Sequence, residues 1–431
     1  MRLLMTALLL LALPGAALAQ SRPAEQTMMQ TVSQEHDRHI VLLERLVNRN
    51  SGTLNLEGVR AVGDMVREEL EPLGFEVRWV DMSETGRAGH LIASHEGRGR
   101  NVLLIGHLDT VFEADNPFQR FERDGARATG PGIGDDKGGV VVIIAALRAM
   151  QAAGTLEDAN VTVVLTGDEE RIGAPASIAR RDLVAAGQAA AFALEFENLA
   201  VEDAADFGTV ARRSSTNWTL TTSGRTGHSS GVFNDALGYG AIYELARILD
   251  GFRRDLPEPN LTYNVGVVAG GTPAAIDAEG FSVTASGKTN IVASTAIARG
   301  DLRTLTREQD ERVRTRMQAI VADHLPRTGA ELVFAEGGYP PMAPSEGNRA
   351  LLARLNAVNR DLGLPEMAEY DPARRGAADS GFVAQDVDTL GGLGVAGGNA
   401  HADGEWIDLD SLVRQSQRAA VLISRLSLGS D

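Results

Sequence analysis

The sequence of 431 residues contains no cysteine. Disulfide bonds are therefore excluded, and any metal site has to use histidine and carboxylate ligands in place of thiolates. Basic residues are also outnumbered: 41 Lys and Arg stand against 58 Asp and Glu, which gives a net charge of −17. Because the chain carries no basic stripe, we expect no nucleic-acid partner.

Long hydrophobic runs are missing after the N-terminus, so no later segment reaches membrane-spanning length. At the N-terminus, Arg2 precedes an apolar run from Leu3 to Leu13, and Ala17-Leu-Ala19 has the small-x-small form that signal peptidase reads. We predict that residues 1–19 are a signal peptide, cleaved near Gln20. The alternative is a membrane anchor, for which the run is short. The mature protein is expected to be exported, periplasmic or secreted, without stable membrane insertion.

Hydrophobic residues make up 43% and charged residues 23% of the chain, as in soluble globular proteins. Phe75–Val80 alternates apolar and charged residues and predicts a strand, as do short apolar runs at Asn101–Ile105, Val161–Leu165 and Ala191–Leu194. Val140–Met150 predicts a buried helix. Alternation of strand and helix predicts an α/β domain whose mostly parallel sheet is sandwiched by helices.

The pattern changes near Arg212, where Asn217–Thr222 alternates polar and apolar residues like a half-exposed antiparallel strand. Two predicted helices (236–249 and 306–324) and flanking strands, including 261–268, indicate a small α+β unit that ends before Pro340. The predicted domains are residues 20–211, the first part of a larger α/β domain; 212–337, an inserted α+β domain; and 338–431, the second part of the larger domain.

Other patterns predict further elements of the larger α/β domain. Apolar residues recur at three- and four-residue spacing in Met28–Leu46 and Leu56–Leu70, which predicts helices. Asp388–Val395 is predicted as a strand and Asp408–Leu426 as the last helix.

Chemically reactive residues follow the predicted strands, at the edge where open α/β sheets bind ligands. They lie in five motifs: His107-Leu-Asp109, the glycine-rich segment with Asp135-Asp136, Asp168-Glu169-Glu170, Glu195-Phe-Glu197, and His401 after Gly397-Gly398. Imidazole and carboxylate are the ligands that zinc accepts without thiolates. Two histidines and three carboxylates are enough for two neighbouring zinc ions. The residues alone leave open whether Asp135 is a ligand or a helix cap, and whether Asp136 takes the ligand role instead. They also leave open the choice between Glu195 and Glu197.

These motifs resemble those of a known enzyme family. His107-x-Asp109, Gly-x-Gly-x-x-Asp135-x-Lys-Gly-Gly, Asp168-Glu169-Glu170 and His401-x-x-x-Glu405 are similar, in order and spacing, to the motifs of the di-zinc metallohydrolases. That family includes the aminoacylases, glutamate carboxypeptidases and succinyl-diaminopimelate desuccinylases. The resemblance covers nearly the whole mature chain and is closest to the glutamate carboxypeptidase branch.

The resemblance implies a role for each matching residue. Two Zn²⁺, replaceable by Co²⁺ or Mn²⁺, are the implied cofactors. Glu169 is the implied general base, and Asp109 is expected to hold the His107 ring by its other nitrogen. The spacing before Lys137-Gly138 selects Asp135, and the pattern x-Leu-x-Phe-Glu favours Glu197. The implied ligands are Asp135 as the bridge, His107 and Glu197 for one ion, and Glu170 and His401 for the other.

The resemblance extends to the inserted domain. It implies that residues 20–211 and 338–431 form a catalytic zinc-binding domain and that residues 212–337 form a lid or dimerisation domain. In Gly224-Arg-Thr-Gly-His228-Ser, His228 is implied to stabilise the oxyanion, often from the partner subunit of a homodimer. Asn290 and Arg303 match positions associated with binding the substrate carboxylate. Gly227 replaces the usual serine and Ala293 a common proline, which leaves the lid geometry and the substrate class open.

The resulting hypothesis is zinc-dependent hydrolysis of an amide or peptide bond next to a free carboxylate. Such an enzyme would be a carboxypeptidase, a dipeptidase or an N-acyl-amino-acid hydrolase, acting on a small peptide or an N-acyl amino acid. One alternative is an aminopeptidase with the same chemistry, which reads a free amine. Another is a catalytically silent periplasmic binding protein, for which a ligand or the base would be expected to be missing; none is.

Overall fold

The computed structural model describes residues 23–277 and 282–429. The predicted signal peptide lies outside these residues. Over the described ranges, the helices are all too short or too polar to cross a lipid bilayer.

The first part of the larger α/β domain contains helices α1 (Pro23–Gln34), α2 (His36–Val47), α3 (Leu56–Leu70), α4 (Gly139–Ala152), α5 (Ala176–Ala179) and α6 (Arg181–Ala189). Its strands are β1 (Glu76–Asp81), β2 (Gly89–His95), β3 (Asn101–His107), β4 (Glu122–Asp124), β5 (Arg127–Thr129), β6 (Asn160–Thr166), β7 (Phe192–Glu195), β8 (Ala200–Glu202) and β9 (Ala205–Gly208).

The inserted segment contains β10 (Thr216–Gly224), α7 (Ala241–Asp255), β11 (Thr262–Tyr263), β12 (Val267–Gly271), β13 (Ala274–Ile276), β14 (Val283–Ala285), β15 (Thr295–Arg303), α8 (Arg307–Ala322) and β16 (Thr328–Phe334). The chain then returns to the first domain through α9 (Glu346–Asp361), β17 (Ala368–Glu369), α10 (Ser380–Val383), β18 (Thr389–Leu390), β19 (Gly397–Gly398), β20 (Trp406–Asp408) and α11 (Leu409–Leu428).

The central sheet has the strand order β1-β2-β6-β3-β7-β18. Strands β6, β3, β7 and β18 are parallel, whereas β2 pairs antiparallel with both β6 and the edge strand β1. Alternate side chains of the strands enter two hydrophobic cores, one shared with α1, α4 and α11 and the other with α6 and α10. The predicted mostly parallel sheet between helices is confirmed.

The inserted segment forms an antiparallel sheet with the order β11-β15-β10-β16, and β12 also pairs with β15. Helices α7 and α8 cover one face of this sheet, where Trp218, Leu220 and Leu302 are buried among helix residues such as Ile248 and Met317. The other face carries no helix among the described residues. This is the α+β arrangement that the alternating pattern indicates.

Several predicted elements have different bounds. The helix predicted over 236–249 begins only at Ala241, because Gly238 and Gly240 have φ values of 73° and 78° that a right-handed helix excludes. The strand predicted over 261–268 is divided between β11 and β12. The strand predicted over 388–395 is reduced to β18, since a glycine-rich loop with a φ of 75° at Gly392 follows it. The predicted helix 28–46 is interrupted at Glu35, between α1 and α2.

Two short segments connect the domains. The outgoing connection (residues 209–215) and the return connection (residues 338–342) lie side by side, with antiparallel bridges between Arg212 and Met342 and between Ser215 and Tyr339. The chain therefore enters and leaves the inserted domain at a single place.

Buried His39 on α2 makes the stability of the fold dependent on pH. Burial lowers the pKa of His39 from 6.5 to about 4, although Glu35 lies 3.7 Å from its Nε2 atom. The unfolded chain binds the proton more tightly, so this contribution is complete above pH 6.5 and is lost as the pH falls towards 4. The loss amounts to at most about 3 kcal/mol.

We predict that His39→Gln reduces the fall in the free energy of unfolding between pH 8 and pH 4.5, measured by urea denaturation. Leu42→Ala, a packing change on the same helix, should lower that free energy equally at both pH values. An equal fall in wild type and His39→Gln would contradict the assignment.

Candidate metal centre and active site

Asp135 lies at the centre of the candidate site, between two histidines. Its Oδ1 is 3.0 Å from His107 Nε2, and its Oδ2 is 3.1 Å from His401 Nε2. The same His401 atom is 3.1 Å from Glu170 Oε2. Each carboxylate oxygen of Asp135 therefore faces a different imidazole, which is the arrangement that a bridging ligand requires.

Two overlapping groups of donor atoms surround this position. One atom each from His107, Glu169 and Glu197 lie within 4.8 Å of one another, and the same holds for His107, Asp135 and Glu170. The buried Oε1 of Glu170 has no hydrogen-bond partner in the described part of the chain. Imidazole and carboxylate donors at this spacing, with one buried oxygen unsatisfied, fit divalent metal ions.

The electrostatics of the cluster also favour a bound cation. Burial, and then the neighbouring Glu197, raise the pKa of Glu169 well above its usual range. Burial raises the pKa of Glu197 to about 7, although the Arg212 guanidinium opposes this shift. Hydrogen bonds to Asp135 and Glu170 raise the pKa of His401 to about 11. These raised pKa values mean that bound protons offset the excess of negative charge in the cluster. Bound metal ions can offset the same charge in place of the protons.

The fold explains how distant residues meet here. His107 is the last residue of β3, Glu169 and Glu170 follow β6, and Glu197 follows β7, so all four lie at the carboxyl edge of the parallel strands. Asp135 lies in the glycine-rich loop before α4, and His401 lies in the turn between β19 and β20. The structure thus brings together the five residues that were predicted as metal ligands.

Asp109 fixes the loop that carries Glu169 and Glu170. Its Oδ1 accepts the Glu169 N–H at 2.9 Å, and its Oδ2 accepts the Glu170 N–H at 3.1 Å and the Thr53 hydroxyl at 2.6 Å. The nearest contact of His107 Nδ1 is the main-chain oxygen of Asp109 at 3.1 Å, and the carboxylate is farther away at 3.5 Å. Asp109 therefore orients the loop of Glu169 and Glu170 as well as the imidazole ring of His107.

Glu405 holds the glycine-rich loop in the same way. Its two carboxylate oxygens accept the N–H groups of Gly132, Gly134 and Asp135 at 2.8–2.9 Å. A side chain at Gly134 would place its Cβ 2.7 Å from Asn198 Oδ1 and 3.3 Å from Glu405 Oε1, so this close approach requires glycine. The sequence motif contains Glu405, but only the structure reveals this contact.

The neighbours Asp136 and Glu195 face away from the cluster. Asp136 is fully buried, accepts the His107 N–H at 3.3 Å and has a pKa that burial raises well above its usual range. Glu195 is buried against Arg212, whose Nε lies 2.9 Å from its Oε2. Asp135 and Glu197 thus occupy the positions that face the other donors.

Three further residues near the site were not predicted. Arg212 donates to Glu197 Oε2 at 2.7 Å, the Tyr339 hydroxyl donates to the Glu169 carbonyl oxygen, and Arg375 donates to the main-chain oxygen of Asn198. Arg212 and Tyr339 lie in the two connections and belong to no motif. From the sequence, one could have predicted only that some basic side chain pairs with the buried glutamates.

The predicted residues of the inserted domain lie apart from the cluster. His228 is exposed and contacts Ser230, and Ser229 donates to the Asn290 main-chain oxygen at 2.9 Å, so the His228 and Asn290 segments are neighbours. Arg303 lies at the end of β15 that is farther from Asn290. It is half-buried, and its Nε is 2.9 Å from Asp301 Oδ2. At about 3.3 Å per residue, β15 separates the two ends by roughly 26 Å.

An α/β fold with this donor set at the carboxyl edge of its sheet has the architecture of a metallohydrolase. Residues 103–425 match the peptidase family M20/M25/M40, and the chain belongs to this family. Carboxypeptidase G2 of Pseudomonas sp. (strain RS-16) is 27% identical over 425 residues, covering 96% of this chain and 95% of the relative. Succinyl-diaminopimelate desuccinylase of Rhodospirillum centenum is 26% identical over 388 residues, covering 85% and 92%.

Solved structures share the fold. Aminopeptidase PepT of Bacillus cereus matches with a TM-score of 0.71 and 18% identity, over 91% of this chain and 98% of that chain. The M20 family metallo-carboxypeptidase Sso-CP2 of Sulfolobus solfataricus matches with a TM-score of 0.62 and 15% identity, over 90% and 98%. Family and relatives together identify a metallohydrolase that acts on amide or peptide bonds.

The different orientations of Asp135 and Asp136 generate a prediction about metal binding. Asp135→Asn removes a charge that faces both histidines, so we expect metal affinity to fall roughly 100-fold or more. Asp136→Asn replaces a buried group that faces away, so it should retain the metal. Metal content after dialysis, measured by mass spectrometry, tests both variants. Retention by Asp135→Asn together with loss by Asp136→Asn would reverse the assignment.

Proposed function

We propose that this protein is a di-zinc exopeptidase or deacylase that hydrolyses an amide bond next to a free carboxylate. Its substrate would be a small peptide or an N-acyl amino acid, as for a carboxypeptidase, a dipeptidase or an N-acyl-amino-acid hydrolase. The observation that carries this proposal is the convergence of His107, Asp135, Glu170, Glu197 and His401 beside Glu169. The similarity to carboxypeptidase G2 over nearly the whole chain supports the same reading.

Two zinc ions would be held by the residues that meet at Asp135. His107 and Glu197 would serve one ion, Glu170 and His401 the other, and Asp135 would bridge the two. When bound, such ions polarise the substrate carbonyl and lower the pKa of water.

Glu169 would act as the general base. It lies among the donor atoms, within 4.8 Å of those of His107 and Glu197, and Asp109 fixes its main chain. In this position its carboxylate would take a proton from the attacking water as the new C–O bond forms. It would then deliver that proton to the nitrogen of the leaving amine, and the amide C–N bond would break.

Arg303 and Asn290 cannot both reach one small substrate within a single chain, because they lie at opposite ends of β15. Arg303 extends from the sheet face opposite α7 and α8, close to the connections, and is suited to bind a terminal carboxylate. Asn290 and His228 would then come from the partner subunit of a homodimer.

Exposed apolar side chains on the inserted domain support the homodimer. Phe233, Ile242 and Tyr243 surround the start of α7, and Val267 and Val268 lie on the edge strand β12; each is 39–55% exposed. Large apolar groups clustered on an edge strand favour pairing with another surface.

The role of Glu169 predicts that Glu169→Gln loses activity without losing metal. Removing a general base should lower kcat about 1,000-fold. Hydrolysis by the zinc-loaded protein and its metal content would be measured together, with Glu96→Gln as an exposed control. Full activity of Glu169→Gln would refute the mechanism.

The same assay distinguishes the carboxylate-directed enzyme from an aminopeptidase. Dipeptides and N-acyl amino acids would be compared with the same substrates amidated at the C-terminus. We expect a blocked C-terminus to abolish hydrolysis and a blocked N-terminus to be tolerated. The opposite pattern would support an aminopeptidase.

The homodimer is tested by light scattering after gel filtration. Val268→Asp, on β12, should yield monomers, because a charge on an apolar interface opposes association. Val333→Asp changes an equally exposed valine on β16 and should leave the dimer intact. A monomeric wild-type protein would contradict the proposal.

A further inference from the structure

The outgoing and return connections form a two-stranded ribbon between the domains. Arg212 N–H donates to Met342 O at 2.9 Å, and Met342 N–H returns the bond at 3.0 Å. Ser215 and Tyr339 exchange a second pair of bonds at 2.8 and 3.0 Å. Because the segments are bonded to each other at both places, a change in the position of the inserted domain moves them together.

Each segment of this ribbon also carries a side chain that reaches the catalytic cluster. Arg212, on the outgoing connection, donates to Glu197 Oε2 at 2.7 Å. Tyr339, on the return connection, donates its hydroxyl proton to the main-chain oxygen of Glu169. The ribbon thus touches both a candidate metal ligand and the candidate base.

Glu169 is consequently held from two different parts of the chain. Its N–H is bound by Asp109 at the end of the central sheet, with a donor–acceptor distance of 2.9 Å. Its carbonyl is bound by Tyr339, which belongs to the ribbon. The first contact is fixed within the catalytic domain, whereas the second depends on where the ribbon lies.

The surroundings of Tyr339 set its position but leave the ribbon room to shift. Its ring packs edge-to-face on Phe382 of α10, at 5.6 Å between centroids and an angle of 65°. Tyr339 and Phe382 both line a cavity of about 350 Å³, together with Ser214, Thr216 and Arg314. A side chain that borders an open space can follow a displacement of the ribbon and transmit it to the loop of Glu169.

We propose that Tyr339 is a positioning residue that couples the placement of the inserted domain to the general base. The correct position of the inserted domain would set the Glu169 main chain, and through it the carboxylate, in the orientation for proton transfer. This inference rests on the proposed role of Glu169 in hydrolysis.

Tyr339→Phe tests the inference, because it removes only the hydroxyl. We expect kcat of the zinc-loaded enzyme to fall about 10-fold with KM nearly unchanged, because losing this hydrogen bond leaves the Glu169 carboxylate less well oriented for proton transfer. Tyr263→Phe is the matched control: its hydroxyl donates to the Phe252 main-chain oxygen at 2.8 Å inside the inserted domain. The control should keep wild-type kcat. Equal kcat values for Tyr339→Phe and wild type would overturn the proposal.

Hydrogen–deuterium exchange provides a readout that does not depend on turnover. Peptides covering residues 167–173 should exchange faster in Tyr339→Phe than in wild type and in Tyr263→Phe. Unchanged exchange in Tyr339→Phe would also overturn the proposal. If wild type hydrolyses no amide substrate, the proposed function fails, while the exchange experiment still decides whether Tyr339 holds this loop.

A second variant covers the case in which Tyr339→Phe does not fold. Phe382→Leu keeps the Tyr339 hydroxyl but removes the aromatic ring on which Tyr339 packs. It should lower kcat and speed exchange of residues 167–173 in the same direction. Wild-type values for both would count against the proposal.

Discussion

The concentration of negative charge around Asp135 is the constraint on which the rest of the structure depends. Asp135, Glu169, Glu170 and Glu197 approach one another at the buried edge of the sheet, where charges are poorly screened. Such a group is stable only with positive partners, and Arg212 together with two imidazoles provides part of that charge. Divalent cations would supply the remainder, and would allow so unfavourable a cluster to persist in a largely apolar domain.

Around this cluster, the protein positions main chain as carefully as side chains. Asp109 and Glu405 each accept two or three N–H groups from loops that carry donor residues. Next to the Glu169 loop, fully buried Arg180 pairs with two aspartates. Its Nη1 is 2.5 Å from Asp168 Oδ1, and its Nε is 2.6 Å from Asp379 Oδ1. Removing either aspartate would leave a buried charge uncompensated. The accuracy of the site therefore comes from rigid loops at the ends of strands, a general feature of sites in parallel sheets.

The sequence predicted the parallel strands and the site residues best where the signal was local. Apolar runs bounded by glycine or polar residues marked β3, β6 and α4, and the motifs after them named the residues that the structure brings together. Strand β2 has a short and mixed pattern and escaped prediction. Arg212, Arg375 and Tyr339 carry no local signal, because their importance arises only when the two connections fold back onto the cluster. The separation of Arg303 from Asn290 likewise depends on the strand register.

The single place at which the chain enters and leaves the inserted domain has an evolutionary consequence. Arg212 and Met342 are antiparallel neighbours, so their Cα atoms are only roughly 5 Å apart. If the segment between them were exchanged, the new segment would have to connect only these two neighbouring points of the catalytic domain. The central sheet would not have to be rethreaded. Such an architecture lets substrate recognition diversify by replacing or reshaping one module, while the candidate metal ligands and Glu169 are inherited with the other domain.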